Sequence, residues 1–241
     1  MQTACTSCKE TEDVTPTGNA NLYIKGRWAD QPYLLYGKQP FRANDSITLT
    51  EALFFVSDVT LTNGDKTGTI TDIDLVSFAK NHQTLAGAQK GELVKGKNAI
   101  PAATYTTLRF GLGVAPNLNA TNPNKYASTH PLGDASLYWS AQRYVFSRIG
   151  GYTYPNGSLV GTPWYYHIGT DAMYKTVTVA IPSTTIAADK TTDITINLDL
   201  KKLFINGSDT ISVLNTYDNP DNSTQRSVLD AWNARLLAAF K

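Results

Sequence analysis

The sequence predicts an all-β fold: an antiparallel β-sandwich of about eight or nine strands with a C-terminal α-helix. Short runs of β-branched and aromatic residues recur along the chain and are broken by Gly, Pro and Asn-Gly, as in sandwich proteins. Apolar residues at helical spacing occur only near the C-terminus, between 223 and 240. The chain is 41% hydrophobic and 17% charged, which indicates a globular protein rather than a disordered one.

The strands and the helix are predicted in chain order from these patterns. Residues 45–68 contain two apolar runs and an Asn-Gly dipeptide, which predicts a hairpin. Ser223 or Thr224 is a candidate N-cap for the terminal helix. The stretch at 115–136 is polar and rich in turn residues, which predicts a loop. Further strands are predicted at 20–26, 31–37, 67–79, 104–114, 137–152, 162–169, 174–183 and 192–207.

The N-terminal residues 1–20 are predicted to be a disordered tether, and residues 21–241 a single domain. Cys5 and Cys8 are the only cysteines. A redox CxxC motif normally lies beside a βαβ pattern, and this sequence has no such pattern. A zinc site with four ligands needs a second ligand pair, which the sequence also lacks. Thr-Ala before Cys5 resembles the small residues that precede a lipid-modified cysteine. One prediction is therefore a lipoprotein of the periplasm, outer membrane or cell surface; a tail with spare thiols is the alternative.

Charge and motif content exclude several classes of function. The net charge is +1 without a run of Lys or Arg, so the electrostatic footprint of a nucleic-acid-binding protein is missing. The sequence has no stretch of 18 apolar residues, and no GxSxG, HExxH or P-loop motif. We expect a binding protein rather than an enzyme.

Three histidines are the first candidates for chemistry. His82 lies in a polar connecting stretch and is expected to be exposed. If His130 and His167 lie on neighbouring strands, they can together bind Cu(I), which accepts two or three nitrogen or sulfur ligands. The alternative for His167, at the end of a strand beside Gly, is a structural hydrogen-bond donor. Met173 can add a soft thioether, although filling the core is the alternative role for this residue.

Exposed aromatic residues on a sandwich also suggest a surface binding module for glycans or a protein partner. Trp28 and Trp164 are the candidates for such a surface, with core packing as the alternative for both. In this alternative, the protein binds its partner through the sandwich surface, and the copper site has lost its function.

A series of motifs resembles the MbnP-like copper-binding proteins. They are, in order, FFVSDVTLTNG, LRFGLGV, HPLGDASLYWSAQRYVFSRIGGY, YHIGT, VTVAI, INLDLKKLF and LLAAF, and they span about residues 41–241. The resemblance implies a β-sandwich in a periplasmic or surface protein, of the kind whose relatives accompany copper-acquisition systems.

The resemblance also implies a copper site. Some members bind copper through histidines and a tryptophan that a di-haem partner of the cytochrome c peroxidase type oxidises to kynurenine. The HPL, YWS and HIG motifs place these roles on His130, Trp139 and His167. Opening the indole yields an aromatic amine, a nitrogen ligand that intact tryptophan cannot supply because the indole N–H is only a donor.

This sequence departs from the family pattern at several positions. The second tryptophan of the family's Trp pair is Ala141 here, and the usual methionine is Leu137. Lys25 and Arg27 occupy the neighbourhood in which relatives often carry a histidine. The missing histidine and tryptophan affect the copper site more than they affect the fold.

Overall fold

A computed structural model of the protein describes residues 15–96, 99–211, 214–219 and 221–241. Eight of the strands in these ranges have eight or more residues, as the sequence predicts, and the remaining strands are short. The elements are β1 (Thr17–Trp28), β2 (Gln31–Pro32), β3 (Gln39–Pro40), β4 (Ser46–Asn63), β5 (Lys66–Ser77), α1 (Leu85–Lys90), β6 (Glu92–Val94), β7 (Ile100–Pro101), β8 (Ala103–Leu112), α2 (Pro116–Asn119), β9 (Tyr138–Trp139), β10 (Arg143–Tyr154), β11 (Thr162–Gly169), β12 (Lys175–Ile186), β13 (Thr191–Asp199), α3 (Lys201–Phe204), β14 (Ile205–Asn206), β15 (Asp209–Thr210), β16 (Thr216–Tyr217) and α4 (Ser223–Ala238).

The strands form two sheets, which confirms the predicted all-β sandwich. The larger sheet has the order β12-β8-β4-β10-β11-β16, with β3 and β5 also paired to β4 and β9 paired to β10. The smaller sheet has the order β13-β1-β2, with β6 and β7 on β1. Most pairs are antiparallel, but β1–β13 and β11–β16 are parallel. The long connections within these two pairs leave room for the crossover that parallel strands require. A separate two-stranded ribbon joins β14 to β15.

The predicted hairpin and terminal helix are both present. The β4–β5 turn contains Gly64, whose φ of 57° is a left-handed conformation that glycine adopts without steric cost. Helix α4 is capped one residue earlier than predicted, by Asn222, whose side chain accepts hydrogen bonds from the backbone N–H groups of Thr224 and Gln225. Asn is among the strongest N-cap residues, because its short side chain reaches these otherwise unpaired donors.

Two predicted boundaries differ from the structure. Strand β1 begins at Thr17, so residues 17–20 belong to the sandwich rather than to the tail; residues 1–14, with Cys5 and Cys8, lie outside the described ranges. Only Gln31 and Pro32 of the predicted strand at 31–37 are extended in a sheet. The rest of that segment wraps onto β4, where the Tyr33 hydroxyl accepts a hydrogen bond from the Leu49 N–H.

The core lies between the sheets and is closed on one side by α4. Trp232 of this helix stacks on Tyr166 of β11, with ring centroids 4.1 Å apart. Phe240, just after the helix, packs edge-on against Phe54 and Phe110 of the larger sheet. No helix in the described part of the chain is long and apolar enough to cross a membrane.

The FGLGV motif packs closely against two aromatic rings. A Cβ on Gly111 would collide with the hydroxyl group of Tyr174, and one on Gly113 would collide with the Phe146 ring. Gly113 also has a φ of 109°, which side chains rarely tolerate. The two glycines therefore allow the sandwich to pack closely at this point.

Candidate metal centre

The β10–β11 hairpin sets the position of the candidate site. Its register places Arg148 opposite His167 and Tyr152 opposite Pro163. Because side chains alternate along a strand, His167 points to the outer face, whereas its neighbours Tyr166 and Ile168 are buried in the core. In the neighbouring aromatic stretch at 136–154, Tyr144 and Phe146 are buried in the core.

His167 lies between two aromatic rings. The Trp139 ring is tilted by 57° with its centroid 5.3 Å from the imidazole, and the Tyr165 ring is stacked at 4.9 Å. The imidazole is half-buried, and its Nδ1 is inaccessible and has no hydrogen-bond partner among the described residues. An inaccessible polar atom without a partner is costly, and a bound ligand is one way to supply the missing interaction.

The charge state of His167 suits metal binding. Burial, together with the smaller effect of the nearby Arg148 guanidinium, lowers the pKa of this imidazole from 6.5 to about 4. The Asp218 and Glu51 carboxylates oppose that shift. The ring is therefore neutral at pH 7, which is the form that ligates a metal ion.

Trp139 and His167 both line a cavity of about 10 Å³. This volume is at the lower limit for one water molecule, so it suits a single small ion and nothing larger. Its other walls come from the β9–β10 hairpin and the end of β11: Gln142, Tyr144, Val145, Ile168 and Gly169. The Gln142 amide donates a hydrogen bond to the Asn219 side chain, which holds the hairpin against the loop that carries Asp218.

An open groove of about 400 Å³ lies on the other side of His167, over the outer face of β10 and β11. Arg148 and Glu51 form a bidentate ion pair in its wall, in which the arginine Nε lies 3.0 Å from both carboxylate oxygens. Gly150, which lacks a side chain, lies opposite Tyr165 in the register and leaves the floor of the groove open.

His130 lies apart from this pair. Its ring stacks on Tyr126 at 4.4 Å, and its Nδ1 accepts a hydrogen bond from the Leu132 N–H. It borders a different hollow, with Asp74 and Lys95, and lines neither cavity that contains His167. The structure therefore brings Trp139 and His167 together but does not bring His130 to them.

Met173 also lies away from His167. Its side chain is fully buried in the hydrophobic core, and its backbone carbonyl accepts a hydrogen bond from the Asn233 amide. This placement agrees with the alternative role as core filler. No group of three or more His, Cys, Asp or Glu residues within the described ranges is arranged to hold a metal ion.

The expectation that His82 is exposed is wrong, and the core-packing alternative is confirmed for Trp28 and Trp164. His82 is fully buried, because its two ring nitrogens both have partners in the interior. Trp28 and Trp164 are 7% and 1% exposed, so neither offers a platform for glycans. Both pack in the aromatic cluster of Phe204, which is the commoner place for tryptophan.

The sequence analysis did not identify the other residues that line the groove, because they belong to no recognisable sequence motif. Tyr165 could have been found from alternation, since it lies two residues before His167 on the same face of β11. Arg148, Glu51 and Asp218 required the strand register and the path of the 216–219 loop, which local patterns do not reveal.

Comparison with known proteins identifies the class of β-sandwich to which this fold belongs. A solved structure described as MbnP from Methylosinus trichosporium shares the fold with a TM-score of 0.53 and 15% sequence identity, over 84% of this chain and 81% of that chain. No curated protein matches the sequence. The MbnP family pattern matches residues 17–225, and the chain belongs to the MbnP family.

Proposed function

We propose that this protein is an exported copper-binding protein without turnover of its own, which acts in copper acquisition or handling. His167 and Trp139 form the core of its site. A lipid on Cys5 would hold it at the outer membrane or cell surface. The observation that carries the proposal is the inaccessible, unpartnered Nδ1 of a neutral His167, which borders an ion-sized cavity shared with Trp139.

The chemistry of His167 favours Cu(I). Imidazole nitrogen is a suitable ligand for copper, and Cu(I) accepts as few as two nitrogen ligands. The aromatic walls from Trp139 and Tyr165 shield the ligand from water. A hard cation such as Ca²⁺ or Mg²⁺ would require several oxygen ligands around one point, which this cavity does not offer.

The second nitrogen comes from Trp139 after oxidation. Intact indole cannot ligate, because its N–H only donates. Conversion to kynurenine opens the five-membered ring and leaves an aromatic amine next to the His167 cavity. In line with the family resemblance, a di-haem partner of the cytochrome c peroxidase type would take up the four electrons. Two oxygen atoms from water would add across the C2–C3 bond of the indole, and hydrolysis would release C2 as formate.

The replacement of the family's second tryptophan by Ala141 is compatible with a site that consists of Trp139 and His167. It lies in the exposed turn of the β9–β10 hairpin, so a tryptophan in its place would contact solvent rather than the His167 cavity. The missing second tryptophan therefore leaves the Trp139–His167 pair intact. His130 takes no part in the proposed site, since its Nδ1 already accepts the Leu132 N–H.

The test is a Cu(I) titration against a competing chelator, before and after treatment with the di-haem protein. Kynurenine has one carbon fewer and one oxygen more than tryptophan, so intact mass reports the oxidation. We expect tight binding only by the oxidised protein. The matched variant Trp139→Phe keeps an aromatic ring against His167 but cannot yield the amine. We expect its affinity for Cu(I) to remain weak after the same treatment. Equal Cu(I) affinity of the oxidised wild type and Trp139→Phe would contradict the proposal.

A further inference from the structure

The cavity that Trp139 and His167 share has two further polar side chains in its walls, those of Tyr144 and Gln142. The remaining wall residues, which have no polar side-chain atom, are Val145, Ile168 and Gly169. The Tyr144 hydroxyl donates a hydrogen bond to the Leu132 carbonyl at 2.9 Å, and burial raises its pKa, so it remains protonated at neutral pH. Within this lining, whose residues the structure all describes, the Gln142 side chain is left to offer a further acceptor atom.

The contact with Asn219 determines how the Gln142 amide is oriented. Asn219 Oδ1 accepts a hydrogen bond from the Asp221 backbone N–H at 3.1 Å, and because a backbone N–H only donates, this atom must be the oxygen. The same Oδ1 lies 3.1 Å from the Gln142 amide, so Gln142 presents its NH₂ group there. The Gln142 Oε1 accepts no hydrogen bond from any residue that the structure describes. This oxygen is therefore available to a ligand.

The backbone around Gln142 is fixed at the turn of the β9–β10 hairpin. The Gln142 N–H donates a hydrogen bond to the Trp139 carbonyl at 3.1 Å, which closes the turn. Arg143, the next residue, pairs with Trp139 and has a φ of 65°, a left-handed conformation that costs energy in a residue with a side chain. Strained positions of this kind cluster at active sites and ligand sites. The turn and the Asn219 contact together hold Gln142 in one arrangement beside Trp139.

The size of the cavity limits how far an ion can lie from each wall. Its volume is about 10 Å³, roughly that of one water-sized probe, so an ion inside it is next to every residue of the lining. A His167 nitrogen and the amine derived from Trp139 provide two donors. Cu(I) accepts a third, and a glutamine oxygen is known chemistry for a weak additional ligand in copper sites.

We propose that Gln142 supplies a third donor to the copper site through its side-chain oxygen, alongside His167 and the amine derived from Trp139. This inference rests on the proposed function, because it concerns the same ion. An amide oxygen is a harder ligand than nitrogen or sulfur, so Gln142 is the weakest of the three donors. It adjusts the affinity of a site that the other two residues define.

The experiment replaces the oxygen by a sulfur that copper spectroscopy can recognise. Gln142→Met keeps a long unbranched side chain and carries a soft thioether, which Cu(I) prefers to oxygen. All proteins are full-length and carry Cys5→Ser and Cys8→Ser, so that no thiol competes for the ion. After treatment with the di-haem protein and loading with Cu(I), X-ray absorption at the copper edge identifies the ligand atoms.

We expect a copper-bound sulfur in Gln142→Met, whereas the parent protein shows only nitrogen and oxygen ligands. We expect the Cu(I) affinity of Gln142→Met to be at least that of the parent. Gln142→Leu has no donor atom, and we expect its affinity to be roughly tenfold weaker.

Two controls separate a ligand from a structural residue. Gln83→Met places the same thioether on an exposed glutamine whose amide also donates to a carbonyl, that of Ala79, and which does not line the cavity. We expect no copper-bound sulfur in this variant. Asn219→Ala removes the partner of the Gln142 amide but leaves Oε1 in place, and we expect a smaller loss of affinity than for Gln142→Leu.

Several outcomes would overturn the ligand role while the proposed function stands. One is Gln142→Met without copper-bound sulfur, and another is equal Cu(I) affinity of Gln142→Leu and the parent. Equal losses in Asn219→Ala and Gln142→Leu would show that Gln142 acts only by positioning the hairpin. A parent protein that is not oxidised at Trp139, or that binds no Cu(I), would overturn the proposed function together with this inference.

Discussion

His82 is fully buried and His167 is half-buried, and the two rings are opposite in their hydrogen bonding. His82 accepts the Gly26 N–H at Nε2 and pairs with Glu92 through Nδ1, each at 2.9 Å. Because Nε2 accepts a hydrogen bond, the proton must lie on Nδ1, so this ring is a neutral donor to the carboxylate. His167 has no partner at Nδ1 among the described residues. The satisfied ring is part of the structure, and the unsatisfied ring is available to a ligand.

The largest expected effect comes from removing the satisfied ring. His82→Ala leaves the Gly26 N–H and one contact of Glu92 unpaired, removes the ring stacked on Phe78, and opens a cavity. We expect a loss of about 3–5 kcal/mol in the free energy of unfolding. Denaturant titration measures it, and a loss below about 1 kcal/mol would contradict the structural role.

At His167 we expect a large effect on Cu(I) affinity and a small effect on stability. His167→Ala removes a proposed copper ligand from a half-buried position at the groove. We expect Cu(I) affinity of the oxidised protein to fall by at least about 100-fold, since even residues that only orient ligands cost 10–100-fold. We expect the free energy of unfolding to change by no more than about 1 kcal/mol. A variant that keeps the wild-type affinity would remove His167 from the site.

Acid stability gives a third distinction. The pKa of His167 is about 4 in the folded protein against 6.5 ordinarily, so the unfolded chain takes up this proton first as the pH falls. The stabilising contribution of the neutral ring is complete above pH 6.5 and is lost as the pH falls through about 4. Unfolding titrations at several pH values should show a steeper loss for the wild type than for His167→Ala. Parallel curves would be inconsistent with a depressed pKa.

The smallest effect is expected at the third histidine. His130→Ala removes the acceptor for the Leu132 N–H and the ring stacked on Tyr126, so we expect a loss of about 1 kcal/mol in the free energy of unfolding. Because His130 lines neither cavity of the site, we expect the Cu(I) affinity of this variant to stay within about twofold of that of the wild type. A larger loss of Cu(I) affinity would indicate that His130 is a copper ligand after all.

The sequence predicted the sandwich, the Asn-Gly hairpin and the terminal helix because these depend on local patterns of alternation, turn chemistry and helical spacing. Burial of the three histidines depends instead on contacts between distant segments. His82 is buried by a partner ten residues ahead and by β1, and no local pattern shows either contact. The pairing of Trp139 with His167 depends on how the β9–β10 hairpin folds over β11.

The most direct test is a long-range proton–nitrogen NMR spectrum of protein labelled with nitrogen-15 in its histidines, recorded on the oxidised form with and without Cu(I). The account predicts that His82 is a neutral Nδ1–H tautomer that does not respond to copper. It predicts that a ring nitrogen of His167, already neutral at pH 7, shifts when Cu(I) is added. A shift at His130 with an unchanged His167 would contradict it.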